Sequence, residues 1–539
     1  MLIDRKLSTA EKLRKIGNFE QAIIIYEEIL SKFPLNKRAQ LGKSSCIEYA
    51  PQMEVDFVIS LFDKKLYNEA ESEIQNLIVK YKNDENLYNI YGAILSRLQI
   101  FDKAKEKYQK ALELNPKFPE ALNNLAELMN QTKEFNKAKQ LCEEAIRLNK
   151  DYAEAYNNLG NSFVNLGFYT EANTFYEKSL ILNNPNKYGV LNNLGLVNAF
   201  LNNFKVSNKY LIQATNLIPK EIEAVNTLAS ILVYQDKEDY SNISEHLIKN
   251  LDFYDTKSKI FILTYLSILF YIEGEIEKSK NYNKYLINTL NEFLENRKIF
   301  EPKDLNFVKA YSSFLHSLNK MAAQESLTNN LSNKNIIYHL GESHCLSFAH
   351  RTIQINGQKF RIKPLITVGA KAWHLTDKKH NKQKPFFISQ LKKVPYASKI
   401  FISIGEIDTR ISEGIITFHL KSKKDLNEII KETVYGYVSF IEKYLENKKI
   451  EKFYFSIHAP YQIRENKDYN SELELKRIEI IKTFNNYLEK YTKEFNSKFV
   501  DTFSFTCDDK GESNKKYMID PTHLSPEALP IIEQSINNL

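Results

Sequence analysis

The sequence predicts a two-part chain, an all-α superhelix of repeats followed by an α/β domain built on a parallel sheet. Three observations predict it. Small and aromatic residues recur at a period of 34 or 35 residues through the first half of the chain. After residue 335 short apolar runs begin to alternate with long amphipathic segments. At 539 residues the chain is also too long for one core.

The repeats come first. An aromatic residue with a small one three positions later recurs as Phe101/Ala104, Phe135/Ala138, Tyr169/Ala172 and Phe204/Ser207. Gly92, Ala126, Gly160 and Gly195 lie twelve positions before each small residue, and Ala229 continues that column. Pro116, Pro185 and Pro219 close several units. Two antiparallel helices approach closely only where both carry small side chains, with aromatics filling the space beside the contact. Gly160 and Ala172 are therefore expected to form one crossing. This helix–turn–helix unit resembles the tetratricopeptide repeat, most closely over 85–235, where Ala104, Tyr108, Ala111 and Pro116 stand at positions of the family's pattern. Residues 3–36 and 51–84 look like two further units. The expected division is a superhelix over 1–235 and degenerate helical repeats or a helical cap over 236–330.

Asn89, Asn123, Asn157, Asn192 and Asn226 share one register, three residues before the small column. A carboxamide both donates and accepts, so a row of them along a groove can pair with an extended peptide of any sequence. The row is similar to the asparagine ladder of the O-linked N-acetylglucosamine transferase superhelix, which implies a protein or peptide partner. A solvated face in an Asn-rich chain is the plainer alternative.

In the last two hundred residues, strands are expected at 336–340, 361–368, 399–404, 452–458 and 498–503. Helices are expected at 424–447, 472–497 and 526–538. Alternation of this kind gives a parallel sheet covered by helices, with chemistry at the carboxyl ends of its strands. The first strand ends in Gly341-Glu342-Ser343-His344, the second at Gly369, and the third in Gly405-Glu406-Ile407-Asp408-Thr409-Arg410. Asp520-Pro521-Thr522-His523 precedes the final helix. This order allows a triad: Ser343 as nucleophile, His523 as its base and Asp520 orienting the imidazole. The backbone N–H groups of Ser343 and Gly369 would face the oxyanion.

The segment 336–539 resembles the SGNH (GDSL-like) hydrolases on these blocks. That resemblance implies a three-layer, flavodoxin-like fold and a serine esterase or acyltransferase, with an O-acyl ester, such as one on a carbohydrate, as substrate. Two departures stand out. Glu342 replaces the usual Asp of the first block, and Ile407 occupies the place of the family's oxyanion Asn, leaving Arg410 as the nearest substitute donor. Glu342, His344, Gly405, Glu406, Asp408 and His458 are candidates for the substrate pocket, with Trp373 and His374 beside them. Cys345 reads as a core residue before it reads as a second nucleophile. A non-catalytic adaptor, with repeats that bind peptide and a domain that binds ligand without turnover, is the competing function.

Composition narrows the classes. Net charge is +7, from 74 basic and 67 acidic residues, with no basic stripe interleaved with aromatics, so no nucleic-acid partner is expected. The apolar run at 260–272 is too short to span a membrane and is expected as a buried helix. Cys46, Cys142, Cys345 and Cys507 form no CxxC pair, and no histidine pair falls at ligand spacing on one element. No metal and no cofactor are expected, and with no apolar leader at the N-terminus the expected location is cytoplasmic.

Overall fold

The computed structural model describes residues 2–47, 49–219, 221–296, 300–324, 335–376, 381–411, 414–459, 471–507 and 513–539. The chain forms two compact units, 1–190 and 191–539.

The first unit is all-helical. Its helices follow one another in antiparallel pairs, such as Glu85–Arg97 with Phe101–Leu114 and Ala153–Leu166 with Tyr169–Ile181. The small-residue column works one turn away from the expected crossing. A Cβ on Gly92 would lie 2.6 Å from the Tyr108 ring, and one on Gly160 would lie 2.5 Å from the Tyr176 ring. The glycines thus make room for a buried tyrosine on the paired helix, while Ala104 and Ala172 pack with no exposure beside them. Within the second unit Gly195 makes the same room for Leu211, at 2.4 Å.

The second unit opens with further helices, among them Thr256–Ile272, Ile276–Glu295 and Pro302–Gln324. The apolar run at 260–272 forms the buried helix expected of it. A six-stranded mixed sheet follows: β1 Ile336–Gly341, β2 Thr352–Ile355, β3 Gln358–Ile366, β4 Lys399–Ser403, β5 Glu451–Phe455 and β6 Lys498–Val500. The strand order is β2-β3-β1-β4-β5-β6, and β2 is the antiparallel edge strand. The sheet is therefore mixed, not purely parallel as expected. The sequence reading missed β2, although its signal is present. Asn356-Gly357, both at positive φ, joins β2 to β3 as a two-residue hairpin turn flanked by alternating side chains. The strand expected at 498–503 stops at Val500, because Asp501 caps the short helix Thr502–Thr506 through the backbone N–H groups of Phe503 and Ser504.

Side chains alternate across the strands. Leu340, Ile400, Ile402 and Tyr454 pack against the helices Gln383–Lys392, Leu426–Leu445 and Ser471–Glu494. Ile337, Phe401, Phe453 and Phe455 face the other way, against Leu529, Ile532 and Ile536 of the last helix. Two buried faces explain why these strands read as nearly continuous apolar runs. The helical segment of this unit is tied to the sheet by hydrogen bonds. His350 Nε2 donates to the Tyr271 carbonyl at 2.6 Å, and Lys393 Nζ donates to the Gln235 carbonyl at 3.0 Å.

Candidate active site

β1 lies between β3 and β4, so the chain leaves its carboxyl end toward one neighbour and later returns on the other side. A crevice opens at such a point in an α/β sheet. Gly341 closes β1 where only glycine fits, since a Cβ there would lie 2.6 Å from both the carbonyl oxygen and Oγ of Ser403. The chain then turns, and Ser343 opens the 3-10 turn Ser343–Leu346.

The far end of the chain returns to this point. His523 Nε2 lies 2.8 Å from Ser343 Oγ, and His523 Nδ1 lies 2.7 Å from Asp520 Oδ2. Asp520 Oδ1 accepts from the backbone N–H groups of Thr522 and His523 at 2.8 and 2.9 Å, and from the Thr522 hydroxyl at 3.0 Å. Burial pushes the Asp520 carboxyl up, but the hydrogen bond and charge of His523 and the Thr522 donors outweigh it and hold the group well below the usual carboxylate range. Ser343 and His523 are buried, with exposures of 9% and 5%. The geometry suits proton transfer from a hydroxyl to an imidazole whose other nitrogen is held by a carboxylate.

Two further histidines pin the turn that carries this pair. His344 Nε2 and His458 Nε2 both donate to the Thr522 carbonyl, at 2.7 and 2.9 Å. Burial keeps both rings neutral, pushing His458 down to about 4 and His344 well below its ordinary value, with the neighbouring histidines adding to the effect on His344. The other pocket candidates form a polar floor. Glu406 accepts from Arg410 Nε and Nη2 at 2.9 and 2.7 Å and from Arg477 Nη2 at 2.9 Å. Burial raises its carboxyl, yet the two guanidiniums win and bring it down to about 2. Arg410 is thus committed to Glu406. Asp408 accepts from the backbone N–H groups of Ala372 and Trp373 at 2.7 and 3.2 Å, and burial raises it to about 7 against those bonds. It holds the loop after β3, on which Gly369 sits at a φ of +67°. Gly405 also needs its missing side chain, with Phe484 2.8 Å from where a Cβ would stand.

Glu342 is buried with neither carboxylate oxygen hydrogen-bonded among the described residues, and burial followed by the Glu406 charge raises its pKa well above the usual range. Its oxygens, a ring nitrogen of His344 and a carboxylate oxygen of Glu406 lie within 4.8 Å of one another, the one group among the described residues with metal-ligand spacing. Arg410 and Arg477 already neutralise Glu406 there and would oppose a divalent ion. Sequence reading did not single out Arg477, or Phe314, whose ring stacks on His523 with 3.8 Å between centroids. Both stand on amphipathic helices with nothing local to mark them. Cys345 is fully buried, as a core residue should be.

The asparagine column is half-buried, and Asn123 is buried. Asn89 Oδ1 accepts from Asn124 Nδ2, and Asn123 Oδ1 accepts from Asn158 Nδ2, both at 2.9 Å. These two amides therefore link successive repeats.

A family model described as "Tetratricopeptide repeat" matches residues 101–161, and a second of the same description matches 153–183. Residues 101–183 are tetratricopeptide repeats, and the N-terminal region is a helical array of that type, of a kind suited to protein interaction. Curated relatives include the aspartyl/asparaginyl beta-hydroxylases of Mus musculus and Homo sapiens, 28% and 26% identical over 145 residues. The match covers 21% of this chain in each case, and the chain spans about a fifth of the length of those relatives. Among solved structures, a tetratricopeptide repeat protein of Thermus thermophilus is 15% identical, with a TM-score of 0.31 over 34% of this chain and 100% of its own. PilW, a type IV pilus biogenesis factor, is 15% identical, with a TM-score of 0.34 over 38% of this chain and 94% of its own. No helix among the described residues is long and apolar enough to cross a membrane.

Proposed function

We propose that the chain is a serine esterase or acyltransferase of the SGNH type, brought to a protein or extended peptide partner by its repeats. The observation that carries this reading is the hydrogen-bonded relay Ser343–His523–Asp520 at the carboxyl end of β1. Setting the edge strand β2 aside, the parallel strands run in the order 2-1-3-4-5, the flavodoxin-like arrangement, and the relay lies at its switch point. The domain division that fits this reading is repeats over 1–235, helices over 236–330 and the hydrolase domain over 336–539.

Ser343 attacks an acyl carbonyl while its proton passes to His523 Nε2. The backbone N–H groups of Ser343 and Gly369 receive the oxyanion. Neither donates to an acceptor among the described residues, which leaves both for that purpose. The O-acyl substrate, such as an ester on a carbohydrate, follows from the family resemblance. Glu342, His344, Gly405, Glu406, Asp408 and His458 line or support its pocket. None of the four cysteines forms a disulfide among the described residues, which supports a reducing compartment, the cytoplasm. In the first unit the peptide groove would use the half-buried Asn89 and Asn157, with Asn123 in the linkage between repeats, and in the second unit the half-buried Asn192 and Asn226 hold the same register.

A second reading, an adaptor whose C-terminal domain binds without turnover, draws on Ile407 at the family's oxyanion position and on the commitment of Arg410 to Glu406. Fluorophosphonate labelling of the full chain separates the two. The esterase reading expects labelling of the wild type that Ser343→Ala abolishes. An unlabelled wild type, with no turnover of a small activated ester, leaves the adaptor.

A further inference from the structure

The site is not built from the sheet domain alone. Helix Pro302–Gln324, which precedes the sheet in the chain, lays the ring of Phe314 flat on the imidazole of His523, with 3.8 Å between centroids and 12° between planes. Phe314 is buried. One turn earlier on the same helix, the buried Tyr311 lies close to Glu342 and Cys345. Tyr234, from the same helical segment, accepts a hydrogen bond from the backbone N–H of Val368 at 3.1 Å, next to Gly369. The helices therefore reach the base, the floor and the loop after β3.

We infer that Phe314 is a positioning residue for the base, so that the catalytic site is completed by the helical segment; this rests on the esterase reading above. Hydrogen bonds at Nδ1 and Nε2 fix the imidazole along one axis but leave it free to rock about that axis. A flat ring against its face removes that freedom, and His344 stands 4.8 Å away by ring centroids. The stack acts again during the reaction. When the Oγ lone pair of Ser343 bonds to the acyl carbon, the carbonyl π pair moves to its oxygen and the hydroxyl proton passes to Nε2. His523 is then an imidazolium lying against an aromatic face, which favours a cation. Collapse of the adduct expels the alcohol, which takes that proton, and the ring is neutral again. A leucine would fill much of the volume and provide neither effect.

The test uses the full chain and its rate of labelling by a fluorophosphonate at several probe concentrations, which separates binding from the bond-forming step. Phe314→Leu should slow the bond-forming step about tenfold, the scale of a stacked or cation–π contact, with binding of the probe unchanged. Phe314→Tyr, which keeps the ring, should restore the rate. In histidine-labelled protein, the His523 ring-proton signal, assigned by its loss in His523→Gln, should be shifted upfield in the wild type and in Phe314→Tyr, and return downfield in Phe314→Leu. If Phe314→Leu labels at the wild-type rate, or if both variants lose rate in step with their melting temperature, Phe314 only packs. An unlabelled wild type overturns the esterase reading and this inference with it, and so differs from a labelled wild type that is indifferent to Phe314.

Discussion

On the esterase reading, Ser343, His523 and Asp520 differ in how much of the proposed reaction each would perform, and the hydrogen bonds rank them. Ser343→Ala removes the atom that bonds to the acyl group and should reduce ester hydrolysis to background. His523→Ala leaves a hydroxyl with no base at 2.8 Å and should be nearly as severe. Asp520→Asn keeps an acceptor for the turn but loses the charge facing His523, so it should retain a measurable remnant, roughly 1,000- to 10,000-fold down. Steady-state hydrolysis of a small activated ester checks the order, and Asp520→Asn falling below Ser343→Ala would contradict it. Ile407 is buried beside this site. If a family-type donor is missing, Ile407→Asn should raise turnover. An unchanged or lower rate would mean that the two backbone N–H groups suffice.

At the scale of elements, the turns after the strands are where single substitutions should separate folding from chemistry. Gly341→Ala drives a Cβ to 2.6 Å from the Ser403 backbone, at the junction from which Ser343 projects. It should cost about 1–3 kcal/mol in a urea titration and also slow labelling. Gly357→Ala forces an alanine to a φ of +79° in the β2–β3 hairpin, where a Cβ meets nothing within 4 Å. It should cost about 1 kcal/mol and leave labelling untouched. Equal effects of the two on labelling would mean that the β1 turn does not position the nucleophile. These junctions also show what was legible in the sequence. The approach of Gly341-Glu342-Ser343 to Asp520-Pro521-Thr522-His523 is legible because strand-end sterics and the hydrogen-bonding needs of Ser, His and Asp restrict the residue at each position. The β2 hairpin carries its own mark in Asn356-Gly357, both at positive φ. Phe314 was not readable at all, because its partner lies 209 positions away and a buried Phe on a helix carries no local mark. The asparagine register was visible, but the bonds from Asn124 and Asn158 that occupy Asn89 and Asn123 depend on how one repeat stacks on the next.

On the scale of the whole molecule, the second unit stores a set of buried and half-buried histidines, and their shared direction predicts how it responds to acid. Burial pushes His339 down to about 3, and His350, His374 and His458 down to about 4, from an ordinary value of 6.5. Each of these groups binds a proton more readily in the unfolded chain, so stability must fall as pH drops from 6.5 toward 4. A full shift of this size on one deeply buried ring corresponds to roughly 3 kcal/mol. Asp408, raised to about 7, and Glu342, raised well above the usual carboxylate range, act in the opposite sense, since each holds a proton in the folded state that the unfolded chain releases above about pH 4. The histidines outnumber them, so the net slope should be positive between pH 4 and 6.5. Below that window Glu406, held down to about 2 by its two arginines despite its burial, should add a second loss as pH falls through its folded value. Urea unfolding of the full chain at intervals from pH 7.5 to 4 checks the sign. The midpoint of the transition that removes the sheet should move to lower urea as acid is added, and more steeply than that of the helical N-terminal unit, which lacks such a cluster among its described residues. A flat or opposite slope would mean that the carboxyls Glu342 and Asp408, rather than the histidines, govern the proton balance of the site.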